Sequence, residues 1–258
     1  MQMHLKNMDA SMQLEFDIIK SISLASKSWK DRVFLTFDID WAPDHVLNYV
    51  IDIVEKKDCA ATWFVTHDTP LLDRLRENDK FELGIHPNFN PLLEPSQKHQ
   101  KYDSVREIVD YLMCLVPEAR SVRSHSVVSS SRVTGIFRDF GLTHDSNMFI
   151  PADSLMVPLP WLDIIGMLRV PFFWEDDIQV ISGKCQDINE VLEKHRHSLK
   201  IFDFHPIHVF LNTNSMDQYE TSKKYVNDSS SLQKLVSSEF GVFNMLECLL
   251  NKKLSVVR

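Results

Sequence analysis

The strongest constraint on this chain is a rhythm. From residue 32 onward, short runs rich in β-branched and aromatic residues alternate with stretches whose apolar side chains recur every three or four positions. Arg32–Asp38 (RVFLTFD) reads as a strand, and from about Asp44 a helix follows, with Val46, Leu47, Val50, Ile51 and Val54 on one face. Ala60–Val65 is the next strand, followed by a helix that Thr69 and Pro70 open. Phe81–Ile85 is the third strand, and Ser104 and Glu107 form a capping box ahead of Ile108, Val109, Leu112 and Leu115. The pattern continues through Ser121–Arg123, a helix over Arg132–Phe140 closed by Gly141, Leu142–Asp145, a helix capped by Asp187, and Leu199–Phe204. Strands separated by helices of this length form βα units and a parallel sheet. Six or seven such units in 258 residues favour a closed or partly open α/β barrel of about seven parallel strands over an open doubly wound sheet. The reading is one domain over 1–258, with a core over about 32–212 and peripheral helices in the first 30 and last 40 residues.

Composition narrows the chemistry. The chain has six glycines where average usage would give about 18. No spacing among them fits a dinucleotide or P-loop phosphate cradle. A net charge of −8 and the absence of any basic cluster exclude a nucleic-acid binder, which needs a basic stripe. The cysteines at 59, 114, 185 and 248 form no C-x-x-C pair, and Cys59 and Cys114 are expected to be buried free thiols. Proline and charge interrupt the apolar stretch from Leu155 to Trp174, so it is no transmembrane span, and the first residues carry no signal-peptide pattern. The expectation is a soluble, cytoplasmic protein.

The titratable residues fall at strand ends. Asp38 and Asp40 end the first strand, His86 and Asn90 follow the third, Arg123 and His125 the fourth, and His205 and His208 the last. In a parallel sheet all carboxyl ends share one face, so these groups gather in one mouth. Alternation turns Asp38 and Asp40 to the same side, where one can ligate a metal while the other takes a proton. Alternatively, the two acids are solvent-facing caps of the following helix. His86 is a candidate metal ligand that the amide oxygen of Asn90 could complete, whereas Asn88 suits a turn. Arg123 can hold a carboxylate through its planar fork or form a surface ion pair. His205 closes a strand with apolar alternate residues, where a lone histidine is commonly a satisfied core group, and His208 could share its cavity. Trp174 offers an apolar wall, and Asp176 and Asp177 could fix the arginine or a histidine.

In their order, TFDID, HPNFN, RSH, WEDD and FDFHP resemble the motifs of the polysaccharide deacetylases, the carbohydrate esterases with a NodB-homology domain. The D-x-D spacing, RSH and HPIHVFLN most resemble the WbmS-like branch known from O-antigen clusters. The resemblance implies a distorted (β/α) barrel and metal-dependent hydrolysis of an N-acyl group on an amino sugar. It implies one divalent ion, zinc first, with cobalt, nickel or iron as alternatives. Carried over by position, Asp38 is the general base, Asp40, His86 and Asn90 the metal ligands, and His205 the general acid. Arg123 holds Asp38, Asp176 or Asp177 steadies the arginine, Trp174 lines the sugar pocket, and His125 and His208 stand near the site. Asn90 occupies a position where many members have a histidine, so His125 or water could complete the metal site. The implied partner is a small or a lipid- or nucleotide-linked amino sugar. A non-sugar amide substrate and a metal-free, non-catalytic carbohydrate-binding domain are the competing readings.

Overall fold

The computed structural model describes residues 11–13, 15–93, 101–183, 186–251 and 253–255. The described residues start with two short strands, β1 (Ser11–Gln13) and β2 (Glu15–Asp17), before the expected alternation. Its first units are β3 (Arg32–Asp38), α1 (Asp44–Lys56), β4 (Ala61–Val65), α2 (Leu71–Glu77) and β5 (Phe81–Ile85). Next come α3 (Asn90–Leu93), α4 (Val105–Leu115), β6 (Ser121–Val122), α5 (Ser131–Asp139) and β7 (His144–Asp145). A hairpin of β8 (Trp161–Leu162) and β9 (Leu168–Arg169) leads to β10 (Trp174–Glu175), α6 (Asp176–Ser182), α7 (Ile188–Lys194) and β11 (Ile201–Phe204). The chain then runs through α8 (Pro206–Leu211), α9 (Met216–Ser222), α10 (Ser229–Gln233), α11 (Val242–Leu250) and β12 (Lys253–Ser255).

The sheet order is β10-β11-β3-β4-β5-β6-β7-β9-β8. All neighbours on this path are parallel except the β8–β9 pair, and β2 adds in parallel beside β3. The sheet curls into a half-barrel, the distorted form of the barrel that the strand rhythm implies. Two expectations fail at the periphery. Within the first 30 residues the described part is β1, β2 and two 3₁₀ turns rather than helices, with residues 1–10 outside the described set. The reason is the alternation in SMQLEFD, which lets β2 pair with β3 and β1 with β12. Of the cysteines, Cys59 is half-buried while Cys114 and Cys248 are exposed, and Cys185 lies outside the described residues. Cys114 points outward because the buried stripe of α4 runs through Ile108, Val109 and Leu112.

Alternation along the strands positions the site. Val33, Leu35 and Phe37 of β3 face outward into the main core with Trp63, Leu83, Ile85, Phe202 and Phe204. The intervening residues face the barrel interior: Phe34, Thr36 and Asp38, then Thr62 and Phe64, then Glu82 and Gly84, then Asp203. At the closed end Ile19, Ile22 and Trp29 pack on Phe34, Phe64 and Ile201 and plug the interior. Above this plug the Glu82 carboxylate accepts hydrogen bonds from the Lys20 N–H and from the Thr62 and Ser121 hydroxyls. The open end is left to the polar residues.

Gly84 shows how little room the interior has. A Cβ there would lie 2.7 Å from a ring carbon of Phe64 and 2.8 Å from the Ser121 carbonyl oxygen. Gly84→Ala is therefore expected to destabilise the fold by about 1–3 kcal/mol through overpacking. Equilibrium urea unfolding should give a lower midpoint with an unchanged slope, and an unchanged midpoint would refute the packing argument.

Candidate active site

β3 ends at Asp38, and the chain leaves the strand through Asp40 and Trp41, both with positive φ (35° and 54°). Ile39 stays in the core, so the two acids reach one cavity across a buried residue. They share it as alternation implies, although Asp40 gets there through a left-handed turn rather than by continuing the strand. Pro87 follows His86 out of β5, and its carbonyl accepts the His125 N–H. This contact brings the loop after β6 against the loop after β5. The resulting cavity of ≈ 300 Å³ is lined by Asp38, Asp40, His86, Arg123, His125 and His205, together with Phe149, Phe172, Glu175 and Asp177.

At its floor lies a buried arginine. Arg123 Nη1 donates to Asp38 Oδ1 and Thr36 Oγ1, both at 3.0 Å, and to Asp203, while Nη2 donates to Ser146 Oγ at 3.2 Å. Its guanidinium lies between the rings of Phe64 and Phe172, 4.6 and 4.4 Å from their centroids. Burial pushes the Asp203 carboxyl up to about 8, with Arg123 opposing and Asp38 adding to the rise. One arginine thus serves two acids.

Asp176 holds His205. Its carboxylate accepts the His205 backbone N–H at 2.8 Å and lies 2.7 Å from Nδ1, which leaves Nε2 facing the cavity, 3.6 Å from Asp40 Oδ2. Burial works against the charged imidazole, but Asp176 and Asp40 outweigh it and raise the His205 pKa well above the usual histidine value. Burial would raise the Asp40 carboxyl, yet hydrogen bonds from His125 and His86 hold it well below the usual carboxylate range. Flanking Asp176 in the chain, Glu175 is raised well above its ordinary value by burial, and burial raises Asp177 as well.

One group of donors is arranged for a metal ion. His86 Nε2 and His125 Nδ1 each lie 3.2 Å from Asp40 Oδ1 and 3.4 Å from each other. Donors about 2.1 Å from a tetrahedral ion stand about 3.4 Å apart, so nitrogen, nitrogen and carboxylate oxygen fit a divalent cation of the zinc type. A second cluster of Asp38, Asp203 and His205 does not serve, because the Arg123 guanidinium already bridges its two acids.

A sequence model of the WbmS-like polysaccharide deacetylases matches residues 35–223. The chain belongs to this family. A solved structure similar to this WbmS-like chain is the polysaccharide deacetylase involved in O-antigen biosynthesis (WbmS) from Bordetella bronchiseptica. The two are 39% identical with a TM-score of 0.85 over 92% of this chain and 97% of that one. A polysaccharide deacetylase from Mycobacterium smegmatis matches at 16% identity and TM-score 0.47, over 67% of this chain and 77% of that one. No curated protein matches significantly.

Within this WbmS-like fold several expected residues stand elsewhere. Asn90 is not among the converging donors: it opens α3, and its Nδ2 donates to Ser126 Oγ at 3.0 Å, so His125 takes the third position. Trp174 is fully buried on the outer face of the sheet against Phe202 and Phe204, and Phe149 and Phe172 supply the aromatic wall. Asp176 serves His205 rather than Arg123, and Asp177 lines the cavity without touching the arginine; Asp203 is the arginine's second acid. His208 lies on α8 beyond the cavity lining, bonded to Thr213 and packed on Tyr219, and burial lowers it to about 4. Asp203 and Glu175 were legible from alternation, since Asp203 is two residues before His205 and Glu175 is out of phase with Trp174.

The His205–Asp176 pair gives a direct test. Asp176→Asn removes the charge that favours the imidazolium, so the His205 pKa should fall toward the ordinary histidine range in an NMR titration. An unchanged value would mean that Asp176 does not set this proton. The raised pKa stabilises the fold below the unfolded value of ~6.5, and the gain fades as pH climbs through the folded value.

Proposed function

We propose that the chain is a metal-dependent hydrolase that removes an N-acyl group, acetyl first, from an amino sugar in surface-polysaccharide biosynthesis. One observation carries the reading: the Asp40, His86 and His125 donors share a cavity with a carboxylate-held histidine and an arginine-held aspartate. Asp40, His86 and His125 would hold the ion, zinc by donor type, with cobalt, nickel or iron as substitutes. When bound, such an ion supplies Lewis acidity toward the acyl carbonyl and lowers the pKa of a water.

The chain's own residues supply the proton transfers. Asp38, fixed by Arg123, accepts the proton of the attacking water. His205 gives its Nε2 proton to the departing nitrogen as the C–N bond breaks, and Asp176 keeps the ring in that orientation. A histidine held protonated suits an amine leaving group, which departs poorly without a proton. Phe149 and Phe172 flank the reacting group and exclude water beside it. Against a metal-free binding domain stands the position of His125, whose Nδ1 lies beside His86 and Asp40 where a third donor would be needed. No helix among the described residues is long and apolar enough to cross a membrane.

The test uses purified protein loaded with zinc, cobalt or nickel and supplied with nucleotide-linked, lipid-linked and oligomeric N-acetyl amino sugars. Acetate should appear, cease on chelation and return with added metal. Asp40→Ala should lose the metal by elemental analysis. His205→Ala should keep the metal and lose about 10²–10⁴-fold in kcat. A fully metal-loaded protein that releases no acetate from any of these substrates would refute the assignment.

A further inference from the structure

The apolar stretch that begins at Leu155 is left on the surface. Of the ten residues 155–164, seven are large, apolar and exposed. Leu155 and Ile164 project fully, at 102% and 100% exposure, and Met156, Val157 and Leu162 stand at 62, 60 and 61%. Single exposed apolar residues are ordinary, but a run this dense marks a contact surface. The run is also held in shape. The Pro158 carbonyl accepts the Leu199 N–H at 2.9 Å, and Asp163 Oδ1 accepts the Ile165 and Met167 N–H groups, both at 2.9 Å. A surface fixed in this way loses little conformational freedom when it is covered.

The same run contains β8, which ends the sheet. β8 pairs antiparallel with β9 on one side, Trp161 against Arg169 and Leu162 against Leu168, and among the described residues no strand pairs with its other side. Backbone groups on such an edge need hydrogen-bond partners. A hydrocarbon layer supplies none, whereas a strand does. An edge strand set antiparallel against its own copy gives exactly what it receives, which is the symmetry of a two-fold dimer. The area is of the right size. A stable interface takes about 800 Å² from each partner, of which about 500 Å² is apolar in a homodimer. At ~100 Å² for a fully exposed aliphatic side chain, the run presents about 450 Å².

We propose that residues 155–164 form a two-fold interface with a second copy of this chain, in which β8 meets β8 antiparallel. β8 is two residues long, so packed side chains rather than ladder hydrogen bonds carry most of the contact. The interface lies away from the catalytic cavity. β9 runs parallel to β7, so the turn that precedes it is at the amino ends of the strands, and Leu199, which holds Pro158, precedes β11 at that same end. The cavity opens at the carboxyl ends. Both copies therefore keep open mouths, and the inference stands independently of the deacetylase reading.

Sedimentation equilibrium and light scattering on the full chain test the interface. The native protein should have twice the chain mass. Leu155→Glu and Leu162→Glu, each present twice in a two-fold contact, should weaken the dimer at least about 100-fold. Phe240→Glu, at an exposed apolar residue outside the run, should leave the mass unchanged. Amide hydrogen exchange on the native protein provides a check that needs no variant: protection over residues 155–164 should fall on dilution. A native protein that is monomeric at ~100 μM overturns the proposal. So does a dimer that keeps its mass in both glutamate variants with no concentration-dependent protection in the run, or a monomer that instead binds lipid vesicles through it. Acetate release is scored separately. Any activity the native protein has should persist in the two variants, so its presence or absence decides only the deacetylase reading.

Discussion

The structure depends on a buried cation. The Arg123 guanidinium carries a full charge inside the barrel, where an unpaired ion would cost several kcal/mol. Two acids, two hydroxyls and two aromatic faces meet that cost, and they come from β3, β4, β11 and the segments after β7 and β9. Neither β3 nor β11 can shift alone without taking an acid away from the arginine. Asp38 is fixed as a result, and Asp40, Asp176 and His205 are placed relative to it. The arginine thus acts as a geometric reference for the site, while the apolar core outside the sheet supplies most of the stability.

Much of the fold was legible because helical and strand periods are hard to mistake over long stretches. Arg32–Asp38 and Phe81–Ile85 occupy the spans that the sequence implied, and α1 buries the five apolar residues its spacing marked. The N-terminal segment departs from the helical expectation because SMQLEFD is short and takes its strand form from pairing partners outside it, β3 and, far along the chain, β12. Pairings of that kind come from tertiary contacts that local pattern does not contain.

The site was legible at the level of which loops converge and less so at the level of which atom meets which. Strand ends identified Asp38, Asp40, His86, Arg123, His125 and His205. Alternation, which turns Asp38 and Asp40 to one side, holds for the other strands as well. Extended to β10 and β11, it puts Trp174 outside and Glu175 and Asp203 inside, as observed. The choice between Asn90 and His125 lay beyond any such rule. It depends on the hydrogen bond from the His125 N–H to the Pro87 carbonyl, which draws one loop over another, and on a helix that starts at Asn90 and turns its amide toward Ser126.

The left-handed pair at Asp40 and Trp41 has an evolutionary consequence. Glycine would relax the backbone at either position, since only glycine adopts positive φ without steric cost. A glycine at 40 would delete the carboxylate that His86 and His125 both face, and one at 41 would delete the indole that stands beside His125. Selection for stability and selection for the site therefore act in opposite directions on two adjacent residues. The scarcity of glycine in this chain includes its absence from these two left-handed positions.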